Sequence, residues 1–194
     1  MDKHEITTLR LIESLERDPR QTQRDLSKDL NISLGLVNSF TKRLIQKGFF
    51  KLITIPKNRV KYMLTPEGMY EKTRLTYQYL RYSLEFYKET RSKIRSIYEQ
   101  IVKQGKKRVF LIGAGGLAEI ATITLQESEL EMAGIIDNER EGDKLLGITI
   151  KGLSSLANIS SYDTIIITKR DSKTDVYDRI RAQDPEIDII DLCK

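Results

Sequence analysis

The sequence predicts a two-domain α/β chain: an N-terminal winged helix-turn-helix, a long linking and dimerisation helix, and a C-terminal Rossmann-like parallel sheet. Three observations carry this expectation. Residues 22–48 read as two short helices around a tight turn, followed by two strand-like runs with a basic turn between them. Residues 69–104 contain neither Pro nor Gly, so a helix can run through them unbroken. The continuous apolar run Val109-Phe110-Leu111-Ile112 leads into a glycine-rich turn, as a buried parallel strand ahead of a phosphate-binding loop does. The expected domains are 1–65, 66–105 and 106–194.

The first helix should cover 5–17, with Ile6, Leu9, Ile12 and Leu15 along one side and Asp18-Pro19 ending it. Thr22 can cap the second helix, because its hydroxyl can accept from an orphan N–H of the first turn. Leu26 and Leu30 share a face of that helix. Asn31-Ile32-Ser33 breaks it: Asn tolerates the left-handed conformation that ends a helix, and Ser33 can cap the next one. Over 33–47, Val37, Phe40, Leu44 and Ile45 recur at helical spacing and should face the core. The opposite face carries Ser33, Gly35, Asn38, Ser39, Lys42 and Arg43. These are small, polar or basic side chains, of the kind a recognition helix offers to a major groove. Strands at 50–54 and 60–64 then flank Pro56-Lys57-Asn58-Arg59. Lys57 and Arg59 at that tip would reach backbone phosphate or the minor groove. Double-stranded DNA is the implied partner.

Thr65, Pro66 and Glu67 form a strong start for the long helix. A heptad can be written on it: Leu80, Tyr87, Ile94 and Ile101 fall seven apart, with Tyr77, Leu84 and Tyr98 on the partner seam and Arg91 interrupting. This favours a homodimer, since paired half-sites are read by dimers. The alternative is a long helix packed on its own α/β domain.

The turn Gly113-Ala114-Gly115-Gly116-Leu117-Ala118 has the G-x-G-x-x-A form of a dinucleotide-binding fingerprint. The first glycine allows the tight turn, the second lets a phosphate approach the backbone, and free N–H groups at the following helix start attract the anion. The next strand, 132–136, ends in Asp137, 19 positions beyond Ala118, where an acid can bind ribose hydroxyls. Gly113, Gly115, Gly116 and Asp137 are therefore the candidate nucleotide-binding residues. The alternative is that these glycines serve helix–strand packing alone. Further strands at 148–150, 164–167 and 187–190 alternate with helices near 153–158 and 172–182, the alternation of a parallel α/β sheet. Lys169 and Arg170 would lie at its carboxyl edge.

The net charge of +5 conceals an asymmetry. Residues 1–107 hold 23 Lys and Arg against 12 Asp and Glu, a balance of +11; residues 108–194 hold 10 against 16, a balance of −6. The basic half suits a polyanion. No apolar run is long enough to span a membrane, the charged N-terminus is not a signal peptide, and a single cysteine fits a reducing cytoplasm. One His and one Cys at opposite ends argue against a metal site, and no nucleophile–base–acid set stands out.

The run TQRDLSKDLNISLGLVNSFTKRLIQKGFFK, the wing, and LTPEGMYEKTRLTYQYLRYSLEFY resemble the MarR-type winged-helix regulators associated with exopolysaccharide gene clusters. The resemblance implies sequence-specific DNA binding through 33–47 and the wing. The segments IGAGGLAEIA, AGIIDNE and LLGITIKGLSSL are similar to the Rossmann domain of the redox-sensing repressor Rex and to the nucleotide-binding domain of sugar-modifying enzymes of polysaccharide synthesis. That likeness implies NAD(H) or a nucleotide sugar as ligand. The expectation is a cytoplasmic, dimeric, non-enzymatic regulator of transcription. The alternatives are a small NAD- or nucleotide-sugar-dependent enzyme carrying a DNA-binding domain, and a Rossmann-like domain used for protein interaction.

Overall fold

The computed structural model describes residues 1–55, 59–160, 163–169, 173–183 and 185–193, with side chains at all of these except 55, 59, 157, 158, 173–176 and 183. Two compact units divide the chain, Met1–Glu85 and Phe86–Lys194.

The first unit holds α1 (Lys3–Arg17), α2 (Gln23–Asp29), α3 (Leu34–Gln46), β1 (Phe50–Ile55), β2 (Arg59–Leu64) and the first part of α4 (Pro66–Lys103). Its helix starts are written into the sequence. Asp2 accepts from the Glu5 N–H at 2.7 Å while Glu5 accepts from the Asp2 N–H at 3.2 Å, and Thr22 and Asp25 make the same reciprocal pair at α2. Such a cap contributes about 1 kcal/mol. Asn31 takes φ 51° between α2 and α3, and the Ser33 hydroxyl accepts from the Leu36 N–H at 3.3 Å. The core joins Leu9, Leu11, Ile12 and Leu15 of α1 to Leu26, Val37, Phe40, Leu44, Phe50, Tyr62 and Leu75. Leu11 rather than Ile6 is fully buried on α1. The apolar stripe is thus displaced from strict three-residue spacing, as expected for a helix of 3.6 residues per turn.

The two wing strands pair antiparallel from Phe50↔Leu64 to Ile55↔Arg59. The Thr65 hydroxyl then closes the unit: it donates to the Gly48 carbonyl at 2.6 Å and accepts from the Gly68 N–H at 3.0 Å. Gly68 is there because α4 begins against the wing. A Cβ at 68 would lie 2.2 Å from the Phe49 carbonyl oxygen.

The second unit begins within α4 and continues with β3 (Arg108–Ile112), α5 (Gly116–Leu125), β4 (Glu131–Ile136), β5 (Lys144–Leu145), β6 (Ile148–Lys151), β7 (Asp163–Ile167), α6 (Lys173–Gln183) and β8 (Asp188–Asp191). The sheet order is β5-β6-β4-β3-β7-β8. All neighbours pair parallel except β5 and β6, so the sheet is mixed rather than purely parallel. The β5–β6 hairpin was not expected. Its turn places Leu146 and Gly147 at φ 49° and 84°, the left-handed pair that matches strand twist in a two-residue hairpin. The short helix expected near 153–158 is present as a 3₁₀ segment, Leu153–Asn158.

Strand periodicity sorts the core into two layers. Val109 and Leu111 face one side with Ala118, Ala121, Leu125 and Ile135. Phe110 and Ile112 face the other with Leu156, Ile165, Ile167 and Ile180. The first layer also takes Ile94, Tyr98 and Ile101 of α4, each no more than 1% exposed. Here the heptad expectation is corrected in part. These three residues cover a sheet face of their own chain, because a parallel sheet has to be covered on both faces. The Tyr98 hydroxyl donates to the Ala121 carbonyl at 2.9 Å, and burial pushes its ionisation well above the usual tyrosine range. Earlier on the helix, Tyr77, Leu80 and Leu84 remain 69%, 55% and 59% exposed.

Candidate functional site

The outer face of α3 is set by what its inner face buries. Val37, Phe40, Thr41 and Leu44 point inward, which turns Ser33, Gly35, Asn38, Ser39, Lys42 and Arg43 to solvent; all six are exposed. Ser33 keeps its hydroxyl hydrogen to donate although its oxygen caps the helix. Ile45, expected inside, is half-buried. Lys57 lies outside the described residues. Arg59 is placed by its backbone alone, opposite Ile55 at the end of the wing ladder.

The charges of this unit are divided by pairing. Its ion pairs lie on α1 and α4: Lys72 with Glu16, Arg74 with Glu5 and Glu71, and Arg81 with Glu85. Among the described residues Lys42 and Arg43 have no carboxylate partner, and neither do Arg20 and Arg24. The last two were missed in the sequence. They line a cleft of about 720 Å³ with Gln21, Thr22, Leu34, Val60 and Tyr62, at the junction of α2, α3 and β2. For Arg24 a signal was there: the residues three and four positions away are Arg20, Gln21, Ser27 and Lys28, none of them acidic. Unneutralised cations around an exposed helix face give it a positive potential.

The glycine turn lies at the carboxyl ends of β3, β4 and β7. Gly113 has φ +103°, and a Cβ there would sit 2.4 Å from the Lys169 Cβ and 3.1 Å from the Thr168 hydroxyl oxygen. That position requires glycine for packing. Gly115 and Gly116 differ: a Cβ at either meets nothing within 4 Å. Gly115 stands at the start of α5 with no side-chain cap, so the first-turn N–H groups have no side-chain acceptor. Of the three glycines, these two leave room for a ligand.

Asp137 does not stand free. It is 8% exposed; one carboxylate oxygen accepts from the Ala114 N–H at 3.0 Å and the other from the Glu139 N–H at 3.0 Å. Lys169 adds an ion pair at 3.6 Å. The acid expected to meet a ribose instead ties the glycine turn to the end of β4, because the buried Ala114 N–H needs an acceptor. Arg140 holds the same turn from outside, donating to the Ala114 carbonyl at 2.6 Å. The Glu139 carboxylate, 2.6 Å from the Lys169 ammonium, holds that lysine above its usual range. Arg170 lies outside the described residues. Glu119 is exposed in the first turn of α5.

Residues 5–51 match the family model described as winged helix-turn-helix DNA-binding. The first unit is a winged helix-turn-helix. Residues 105–190 match a second model, described as C2185-like, N-terminal. No curated protein matches the chain. Among solved structures, the PcaV transcriptional regulator from Streptomyces coelicolor is 17% identical at a TM-score of 0.41, over 50% of this chain and 74% of that one. MepR, a transcription regulator of the Staphylococcus aureus multidrug efflux pump MepA, is 15% identical at 0.39, over 55% and 81%. PigF with SAH is 14% identical at 0.29, over 85% and 62%. No helix among the described residues is long and apolar enough to cross a membrane.

Proposed function

We propose that the protein is a dimeric, non-enzymatic transcriptional regulator: its winged helix-turn-helix binds operator DNA, and its C-terminal unit senses a nucleotide-type ligand, NAD(H) or a nucleotide sugar. The observation that carries the DNA half is the exposed outer face of α3 ringed by cations without carboxylate partners. Ser33, Gly35, Asn38, Ser39, Lys42 and Arg43 are the proposed contacts of the helix, and Lys57 and Arg59 those of the wing. Dimerisation through the exposed Tyr77, Leu80 and Leu84 of α4 would set the spacing of two half-sites.

The ligand half draws on topology. Taken in chain order, the parallel strands β3, β4, β6, β7 and β8 lie as 3-2-1-4-5 across the sheet, the order of doubly wound nucleotide-binding folds. The order reverses between β3 and β7, and ligands of such sheets bind in the crevice at that switch point, outside the carboxyl ends of the strands. Gly113 and Lys169 meet there, and the open positions Gly115 and Gly116 adjoin it. A bound ligand alters DNA affinity only through unequal affinity for the two states of the dimer.

A thermal-shift screen against NAD(H), NADP(H), CoA, ATP, and UDP- and GDP-sugars tests this half. Gly115→Val is the control, since a Cβ at 115 meets nothing within 4 Å. One nucleotide should raise the melting temperature of the wild type and leave Gly115→Val unmoved. A rise for none would favour the second reading, a protein-interaction domain, which draws on the engagement of Asp137 within the chain.

A further inference from the structure

The first turn of α3 carries two side chains that neither the core nor a simple polar face explains. Leu34 and Leu36 are 40% and 46% exposed. They flank Gly35 at helical steps of about 100°, so they stand on either side of the outer face rather than under it. A Cβ at Gly35 would meet nothing within 4 Å, so the helix backbone between the two leucines can come close to a partner. Lys42 and Arg43 follow on the same outer face, and Leu34 shares its cleft with Arg20 and Arg24. Along the helix axis the two leucines occupy the first turn and Lys42 and Arg43 follow about two turns later, so a surface that offers methyl groups where the helix begins and anionic groups further along fits them. The major groove of DNA has that chemistry where thymine presents its C5-methyl group. The N-terminal residues of a recognition helix are also the ones that reach base edges.

We propose that Leu34 and Leu36 read thymine methyl groups in the major groove, so that this helix selects sites by apolar contact as well as by hydrogen bonding. The proposal rests on the DNA-binding reading above. It assigns specificity to two residues that a polar-face reading of the sequence passes over, and it assigns Gly35 the role of letting the helix sink between them.

The test separates this proposal from the reading beneath it. The full chain is used to select duplexes from a pool with a randomised core. Each enriched thymine is then replaced singly by deoxyuridine, which removes the methyl group and leaves the hydrogen-bonding edge intact. Wild type should bind the substituted duplex about fourfold more weakly per contacted methyl, the equivalent of one buried carbon group. Leu36→Ser or Leu34→Ser should show no such difference at the position its leucine reads, and both variants should stay folded, since neither leucine belongs to the buried core cluster. Selection of sites without fixed thymines overturns the proposal while leaving DNA binding standing, as does a deoxyuridine penalty that persists in both variants. Failure of the wild type to retain any duplex overturns both.

Discussion

Replacing Lys42 and Arg43 together by alanine should weaken operator binding by roughly 10- to 100-fold at about 0.1 M salt without unfolding the protein. Both side chains are exposed and have no carboxylate partner among the described residues, so the fold loses little when they are removed. In a DNA complex each would neutralise a phosphate and release its condensed counterion. The plot of log affinity against log salt should therefore become shallower by roughly 1.8 per protomer, about 0.9 for each contact. A loss of affinity at unchanged slope would mean that the two residues touch bases rather than phosphate. An unchanged affinity would remove α3 from the interface altogether.

The second large effect concerns the dimer. Tyr77, Leu80 and Leu84 occupy one side of α4 at helical spacing and are more than half exposed, so a partner helix would bury a continuous apolar stripe. Leu80→Glu with Leu84→Glu places two carboxylates in that stripe and replaces no buried residue. The mass in solution should fall from that of two chains to that of one, 22.5 kDa. Affinity for a two-site operator should fall by about 100-fold, because the second half-site is then no longer held at high effective concentration. Light scattering after size exclusion reads the first quantity and fluorescence anisotropy the second. An unchanged mass would place the dimer contact elsewhere.

Local chemistry made much of this fold legible. The caps at Thr22 and Ser33, the left-handed Asn31, the two wing strands and the apolar run into the glycine turn each follow from residue types whose preference is set within a few positions. What the sequence hid depends on contacts between distant segments. The spacing of Leu80, Ile94 and Ile101 is the same whether a helix faces a second helix or a sheet. Only the fold shows that Ile94 and Ile101 cover β3 while Leu80 is left open. Asp137 stands where a ribose-binding acid is expected, yet its direction is decided by the Ala114 N–H across the turn. Gly113 and Gly115 look alike in a motif, but one is packed against Lys169 and the other faces open space. Arg20 and Arg24 became part of the candidate site once it could be seen that they have no ion-pair partner among the described residues.

The most direct test of the central claim is the affinity of the wild-type protein for a selected operator duplex, measured with and without a nucleotide that raises its melting temperature. The account predicts a change of about 5- to 150-fold, and an equal change in nucleotide affinity when the duplex is saturating, since coupling between two binding sites is reciprocal. Gly115→Val should bind the duplex as the free wild type does and show no response to the nucleotide. Equal duplex affinity at saturating and at zero nucleotide would contradict the account, leaving a DNA-binding domain and a second unit that does not report to it.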